Sequence, residues 1–188
     1  MKIVGGKHRG KKLGSFNNDD LRPTATRIKE SIFNILTHGC ENFFFHNTRV
    51  FDLFCGSGAL GFEALSRGAK HSTFLDVSSR SLNLVKENAK AIGERENIKT
   101  LRIDLKSSTL LKRIVKYQVD LAFLDAPYNK NLTLPALVGL RDSLLLKKGA
   151  YLVVELPKGE NLKLPEEYEI VNFRHYGSTS VLFLNYIV

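Results

Sequence analysis

The stretch Asp52-Leu-Phe-Cys-Gly-Ser-Gly-Ala-Leu-Gly61 decides how this chain of 188 residues folds. A short apolar run, Val50 to Phe54, predicts a buried strand. It meets three glycines, Gly56, Gly58 and Gly61, and passes into the helical pattern Phe62-Glu-Ala-Leu-Ser-Arg67, which Gly68 stops. Strand, glycine turn and helix together make a nucleotide cradle. The glycines let the backbone turn tightly and approach a ligand, and the helix N-terminus offers free N–H groups. The same spacing fits a dinucleotide fingerprint, so the glycines alone leave the ligand open. Asp52 separates the readings. A carboxylate near the strand's end repels a pyrophosphate and suits a ligand that carries a cationic or ammonium group. Asp52, Phe54, Gly56, Ser57, Gly58 and Gly61 are the candidate ligand-holding residues here.

Working outward, the pattern repeats. His71 to Asp76 reads as the next strand, and Asp76 falls 24 residues after Asp52, where a carboxylate at the end of the second strand meets a ribose's hydroxyls. Ser78 or Ser79 caps a helix whose Leu82, Val85, Ala89 and Ile92 keep helical spacing up to Gly93. Ile98 to Ile103 is a third strand ended by Asp104, an acceptor for an adenine amino group or a surface cap. Ser108 to Lys116 is a basic amphipathic helix, and Val119 to Leu124 a buried strand ending in Asp125-Ala-Pro-Tyr128. A helical run from Leu132 to Leu146 precedes a strand from Ala150 to Glu155. Tyr168 to Tyr176 and Thr179 to Val188 form a hairpin around Gly177-Ser178. Strands alternating with helices imply a mostly parallel α/β sheet, with ligands beyond the carboxyl ends of the strands. Asp52, Asp76, Asp104 and Asp125 all sit at such ends.

Residues 1–20 differ from the rest and are read as a basic extension of the domain formed by 21–188. Lys2, Lys7, Arg9, Lys11 and Lys12 surround glycines, and few residues there look able to build a core. A short strand or hairpin on flexible backbone, then an exposed loop from Ser15 to Asp20, suits phosphate contacts. A solvated tail is the alternative. Leu21 to Thr26 leads into a helix from Thr26 to Thr37, ended by Gly39, with Ile28, Ile32, Ile35 and Leu36 on one face and Thr24 or Thr26 as its cap. Arg22 lies in the polar segment before it, placed to grip a phosphate or cover a ligand.

The net charge of +9 and pI near 9.6 favour a polyanionic partner, most often nucleic acid. A composition of 43% hydrophobic and 25% charged residues is that of a soluble globular protein, and no apolar run is long enough to span a bilayer. The start lacks the apolar stretch of an export signal, and Cys40 and Cys55 make neither a metal cluster nor a disulfide framework. These features point to the cytoplasm, and nothing requires more than a monomer.

Asp125-Ala-Pro-Tyr128 carries the chemistry. Pro127 removes a backbone donor and biases Ala126 toward extended geometry, so the Asp125 carboxylate and the Ala126 carbonyl can act as two acceptors. Tyr128 offers a flat face for stacking on a base. Two acceptors and a ring describe a clamp for the exocyclic amine of a nucleobase. Such an amine is a poor nucleophile until its lone pair is released from the ring, and catalysis is then positioning and electrostatics. S-adenosylmethionine, with a sulfonium and an amino group, fits both motifs.

The glycine motif from Asp52 to Ala69 and Asp125-Ala-Pro-Tyr128 resemble class I S-adenosylmethionine-dependent methyltransferases that act on amino nitrogens. Ile3-Val-Gly-Gly-Lys-His-Arg-Gly-Lys-Lys-Leu13 and Leu21-Arg-Pro-Thr-Ala-Thr-Arg-Ile-Lys-Glu-Ser-Ile-Phe-Asn34 narrow the likeness to the RsmD family, nearly end to end. The resemblance implies a Rossmann-like sheet of seven strands, mostly parallel with the last antiparallel, and helices on both faces. It also implies S-adenosylmethionine as donor and N2 of a guanine in 16S ribosomal RNA as target, in free RNA or an assembling small subunit. Where that family usually has a second proline, this chain has Ala126. Three other readings stay open from the residues themselves: a DNA or RNA adenine-N6 methyltransferase, which the clamp permits; an NAD-dependent oxidoreductase, which the glycine spacing permits; and an RNA-binding protein without catalysis.

Overall fold

The computed structural model describes residues 2–16, 23–41, 43–105, 116–128 and 130–188, with the backbone only for 23–25. Arg22, the loop from Asn17 to Asp20 and nearly all of the expected helix from Ser108 to Lys116 lie outside the described residues. Among the described residues there are seven strands: β1 (Arg49–Leu53), β2 (His71–Asp76), β3 (Ile98–Arg102), β4 (Val119–Asp125), β5 (Leu146–Pro157), β6 (Tyr168–Tyr176) and β7 (Thr179–Tyr186). Their order in the sheet is β3-β2-β1-β4-β5-β7-β6. By internal contacts the chain divides into two compact units, Met1–Arg102 and Ile103–Val188.

In the first unit β1, β2 and β3 are parallel neighbours, Asp52 in register with Phe74 and Asp76 with Arg102. Helix α1 (Pro23–His38) starts earlier than expected, with a proline in its first turn where no N–H bond is lost, so Thr26 lies inside the helix rather than capping it. Helix α2 (Ala59–Ser66) also starts three residues before the expected Phe62. Gly58 is its N-cap in the left-handed conformation, which releases Ala59 and Leu60 into the helix. Helix α3 (Ser79–Ile92) runs as expected: the Ser78 side chain accepts the Ser81 N–H, and Gly93 closes the other end at φ +78°.

The N-terminal segment departs from the expectation of loose, coreless backbone. Ile3 and Leu13 are buried, and the segment folds back on itself, Ile3 N–H to Lys11 C=O and Gly10 N–H to Ile3 C=O. It is bonded along its length to α2 and α3. Val4 donates to Glu63, Lys7 and His8 to Ser66, and Gly14 exchanges hydrogen bonds with Asn88. Glu63, fully buried on α2, accepts from Arg67 and faces Lys29 of α1 at 3.6 Å. A buried carboxylate is tolerated only when paired and hydrogen-bonded, and here it is both. That pins the basic segment to the unit.

In the second unit β4 and β5 are parallel, and β7 lies between β5 and β6, antiparallel to both. The last strand is thus the antiparallel one, as expected. Helix α4 (Thr133–Asp142) stops four residues before the expected Leu146. Leu144 adopts the left-handed conformation at φ +55°, and the Leu145 carbonyl accepts the Val119 N–H of β4, which commits the chain to β5. Among the described residues no helix is long and apolar enough to cross a membrane.

Candidate functional site

In the first unit the turn after β1 is laced together by backbone bonds. The Cys55 N–H donates to Leu75 of β2, and the Gly58 N–H donates to Cys55. Phe54 sits at φ +60°, a strained conformation for an aromatic residue that the surrounding bonds hold in place. Asp52 is buried, and one of its oxygens accepts the Gly61 N–H at 2.9 Å, placing negative charge at the first turn of α2. Asp76 is half-buried and bridges two segments: one oxygen accepts the Gly56 N–H at 3.0 Å, the other the Ser78 N–H at 2.8 Å. Ser57 contributes its carbonyl to Asn88.

The three glycines do different work. A Cβ on Gly61 would meet the Phe74 ring at 2.4 Å and Ser72 Oγ at 2.7 Å, so this glycine lets α2 lie close on β2. Gly58 needs its left-handed φ of +83° and would press on Phe62 and Phe74. Only Gly56, at φ +51°, faces open space with nothing within 4 Å. That opening, beside the half-buried carboxylate of Asp76, fits a ribose-bearing ligand. Each Asp76 oxygen retains a second lone pair for a hydroxyl donor. Asp104 lies beyond β3, which ends at Arg102, and is exposed.

In the second unit Asp125 ends β4. Its residue surface is open to solvent on one side, yet chain atoms crowd the carboxyl enough that loss of water pushes it up to about 6. Ala126 is buried and Pro127 exposed. Tyr128 is 43% exposed, with its hydroxyl 3.1 Å from Thr179 Oγ1, so one end of the ring is tethered and its surface stays available. Glu155 of β5, to which the sequence pattern assigns no role, is in register beside Asp125. Burial and then the Asp125 charge push it up to about 8. It too is an acid near a strand's carboxyl end, the signal that marked the other four.

Of the basic candidates, Arg9, Lys11 and Lys12 are exposed. Lys7 is exposed over half its side chain while pairing with Glu94 at 2.6 Å, and the same Glu94 oxygen meets His8 Nε2. Lys7, His8 and Asn97 together draw Glu94 below the usual carboxylate range against the opposing effect of its burial.

A family model described as Conserved hypothetical protein 95 matches residues 1–185. Ribosomal RNA small subunit methyltransferase D of Haemophilus influenzae is 35% identical over 184 residues, covering 96% of this chain and 91% of its own. The crystal structure of a candidate methylase from Haemophilus influenzae superimposes with a TM-score of 0.81 at 29% identity, over 100% of this chain and 99% of that one. The N-methyltransferase NodS of Bradyrhizobium japonicum, at 12% identity and a TM-score of 0.70 over 90% of this chain and 99% of its own, shares the fold. The architecture is that of class I methyltransferases.

Proposed function

This chain belongs to the Conserved hypothetical protein 95 family, the RsmD family of the resemblance above, and from that membership we propose that it methylates N2 of a guanine in the 16S ribosomal RNA of the small subunit, with S-adenosylmethionine as donor. The observation that carries the chemistry is Asp125. It is an accessible carboxyl at the end of a strand, lifted by desolvation and followed by a buried alanine, a proline and a tethered tyrosine. The donor, when bound, supplies an electrophilic methyl on its sulfonium. The protein's residues do the rest. Asp76 accepts the ribose hydroxyls, and the open backbone at Gly56 lets the donor approach. Phe54, Ser57, Gly58 and Gly61 hold that turn in shape, Asp52 sets a negative charge behind it, and Asp104 is the acceptor for the adenine amine.

Asp125 and the Ala126 carbonyl accept hydrogen bonds from the two N–H groups of the target amine. That draws the nitrogen toward tetrahedral geometry and frees its lone pair. Pro127 keeps the backbone extended, and Tyr128 stacks on a base that must be unstacked from the RNA to arrive. Lys7, Arg9, Lys11, Lys12 and Arg22 contact phosphates. The reaction belongs in the cytoplasm, where small subunits assemble, and needs one copy of the chain.

The test is nucleoside mapping by mass spectrometry. Small subunits from cells lacking this protein are incubated with the purified chain and S-adenosylmethionine. One new N2-methylguanosine in 16S RNA is the expected result. N6-methyladenosine instead would move the function to the alternative amine, and no new methylated nucleoside would sink the proposal.

A further inference from the structure

Glu155 ends the apolar run of β5 in register with Asp125 of β4. In-register residues on adjacent parallel strands face the same side about 5 Å apart, so the two carboxyls are neighbours. The groups around them are Tyr128, whose hydroxyl meets Thr179, and Glu160, which acts on Tyr128. On its other side β7 sets the apolar Val181 against Glu155. Among the described residues, none of these groups is a cation. Two ionised carboxylates side by side without a cation repel, and one of them keeps its proton. Glu155 is the less exposed residue of the two, and burial and the Asp125 charge push its carboxyl up, so the retained proton is assigned to Glu155.

We propose that Glu155 is a positioning residue for the methyl transfer: protonated, it stands beside Asp125 as a neutral O–H donor, leaving Asp125 to carry the pair's single negative charge toward the target amine. This inference rests on the amine-clamp reading of Asp125. As the nitrogen–methyl bond forms, the methyl–sulfur bond breaks and the sulfur keeps its electron pair. The nitrogen, now cationic, releases one proton, which Asp125 accepts and passes to water. An ionised Glu155 would repel the Asp125 carboxylate from the amine. The transfer rate then has two limbs, rising as Asp125 ionises and falling as Glu155 does.

Two readouts test it. In the first, the side-chain carboxyls of the full-length chain, labelled with carbon-13, are titrated by NMR without donor or RNA. Glu155 is expected to titrate near pH 8 and to move down in Asp125→Asn, where its charged neighbour is gone. Titration of Glu155 in the ordinary glutamate range in both proteins overturns the inference. The second is the pH profile of single-turnover methyl transfer to small ribosomal subunits from cells lacking this protein. Glu155→Gln, which mimics the protonated side chain, should keep the rate at pH 7 and lose the alkaline fall. Glu155→Ala, which removes the neutral neighbour of Asp125, should transfer at least about tenfold more slowly, a change of about 1.4 kcal/mol, with unchanged affinity for S-adenosylmethionine. An alkaline limb shared by wild type and Glu155→Gln contradicts the proposal. Asp125→Ala, run alongside, separates the two layers. If it collapses while the Glu155 variants match wild type, only this inference fails; if it transfers at the wild-type rate, the clamp itself is wrong.

Discussion

The turn after β1 and the tetrapeptide after β4 both follow the carboxyl end of a strand, and both carry an aspartate there, yet they are built on opposite plans. In the turn, the polar groups hold the backbone: Asp52 on Gly61, Asp76 on Gly56 and Ser78, Cys55 on Leu75. The result is a hydrogen-bonded cradle whose one glycine facing open space is Gly56. In the tetrapeptide, Asp125 stands beside another acid, and desolvation raises its proton affinity. A binding surface gains from groups already locked in place, because less is lost on ordering them. A reacting centre gains from a charge that is poorly solvated and turned toward the substrate. On this difference rests our proposal that the first motif holds the donor and the second the amine.

That comparison can be broken by substitution, and the largest effect is expected at Asp125. Asp125→Ala should lower the single-turnover rate about 10²- to 10³-fold, the scale for losing one preorganised group at the reacting centre, with Asp125→Asn retaining more activity because it keeps one acceptor oxygen. Asp76→Ala should weaken S-adenosylmethionine binding about 10- to 150-fold by calorimetry. With two backbone N–H groups bonded to Asp76, thermal or urea unfolding should also show a loss of about 1–3 kcal/mol.

The glycines sharpen the contrast within the turn. Gly61→Ala forces a methyl into the Phe74 ring and should destabilise the fold by about 1–3 kcal/mol in urea unfolding. Gly56→Ala meets no atom and should cost only the left-handed backbone, about 1–2 kcal/mol, while weakening donor binding measured on the folded protein. The smallest effect concerns the basic segment. Replacing Lys7, Arg9, Lys11 and Lys12 with Ala should flatten the salt dependence of RNA binding, by about 0.7–0.9 in log–log slope for each phosphate no longer neutralised. An unchanged slope would mean these side chains do not neutralise RNA phosphates.

Much of this was legible in the residues. The strands from His71 to Asp76 and from Val119 and the helix from Ser79 to Ile92 announce themselves because apolar periodicity, a serine cap and a closing glycine agree. Boundaries failed where a tertiary bond decided them, as at Leu144, where β5 draws the chain out of α4, and at Gly58, whose left-handed turn starts α2 early. The docking of the N-terminal segment was not legible, since its anchors, Glu63, Ser66, Asn88 and Glu94, lie some sixty to ninety residues away in sequence. Glu155 was visible as a strand-end acid, but its meaning depends on the register with Asp125, which no single-strand pattern contains.

The division of labour between the two motifs is tested most directly by calorimetric titration of S-adenosylmethionine into the wild-type chain, Asp125→Ala and Asp76→Ala under one set of conditions. The account predicts wild-type affinity for Asp125→Ala and a clear loss for Asp76→Ala. Equal losses in both, or a loss confined to Asp125→Ala, would contradict it.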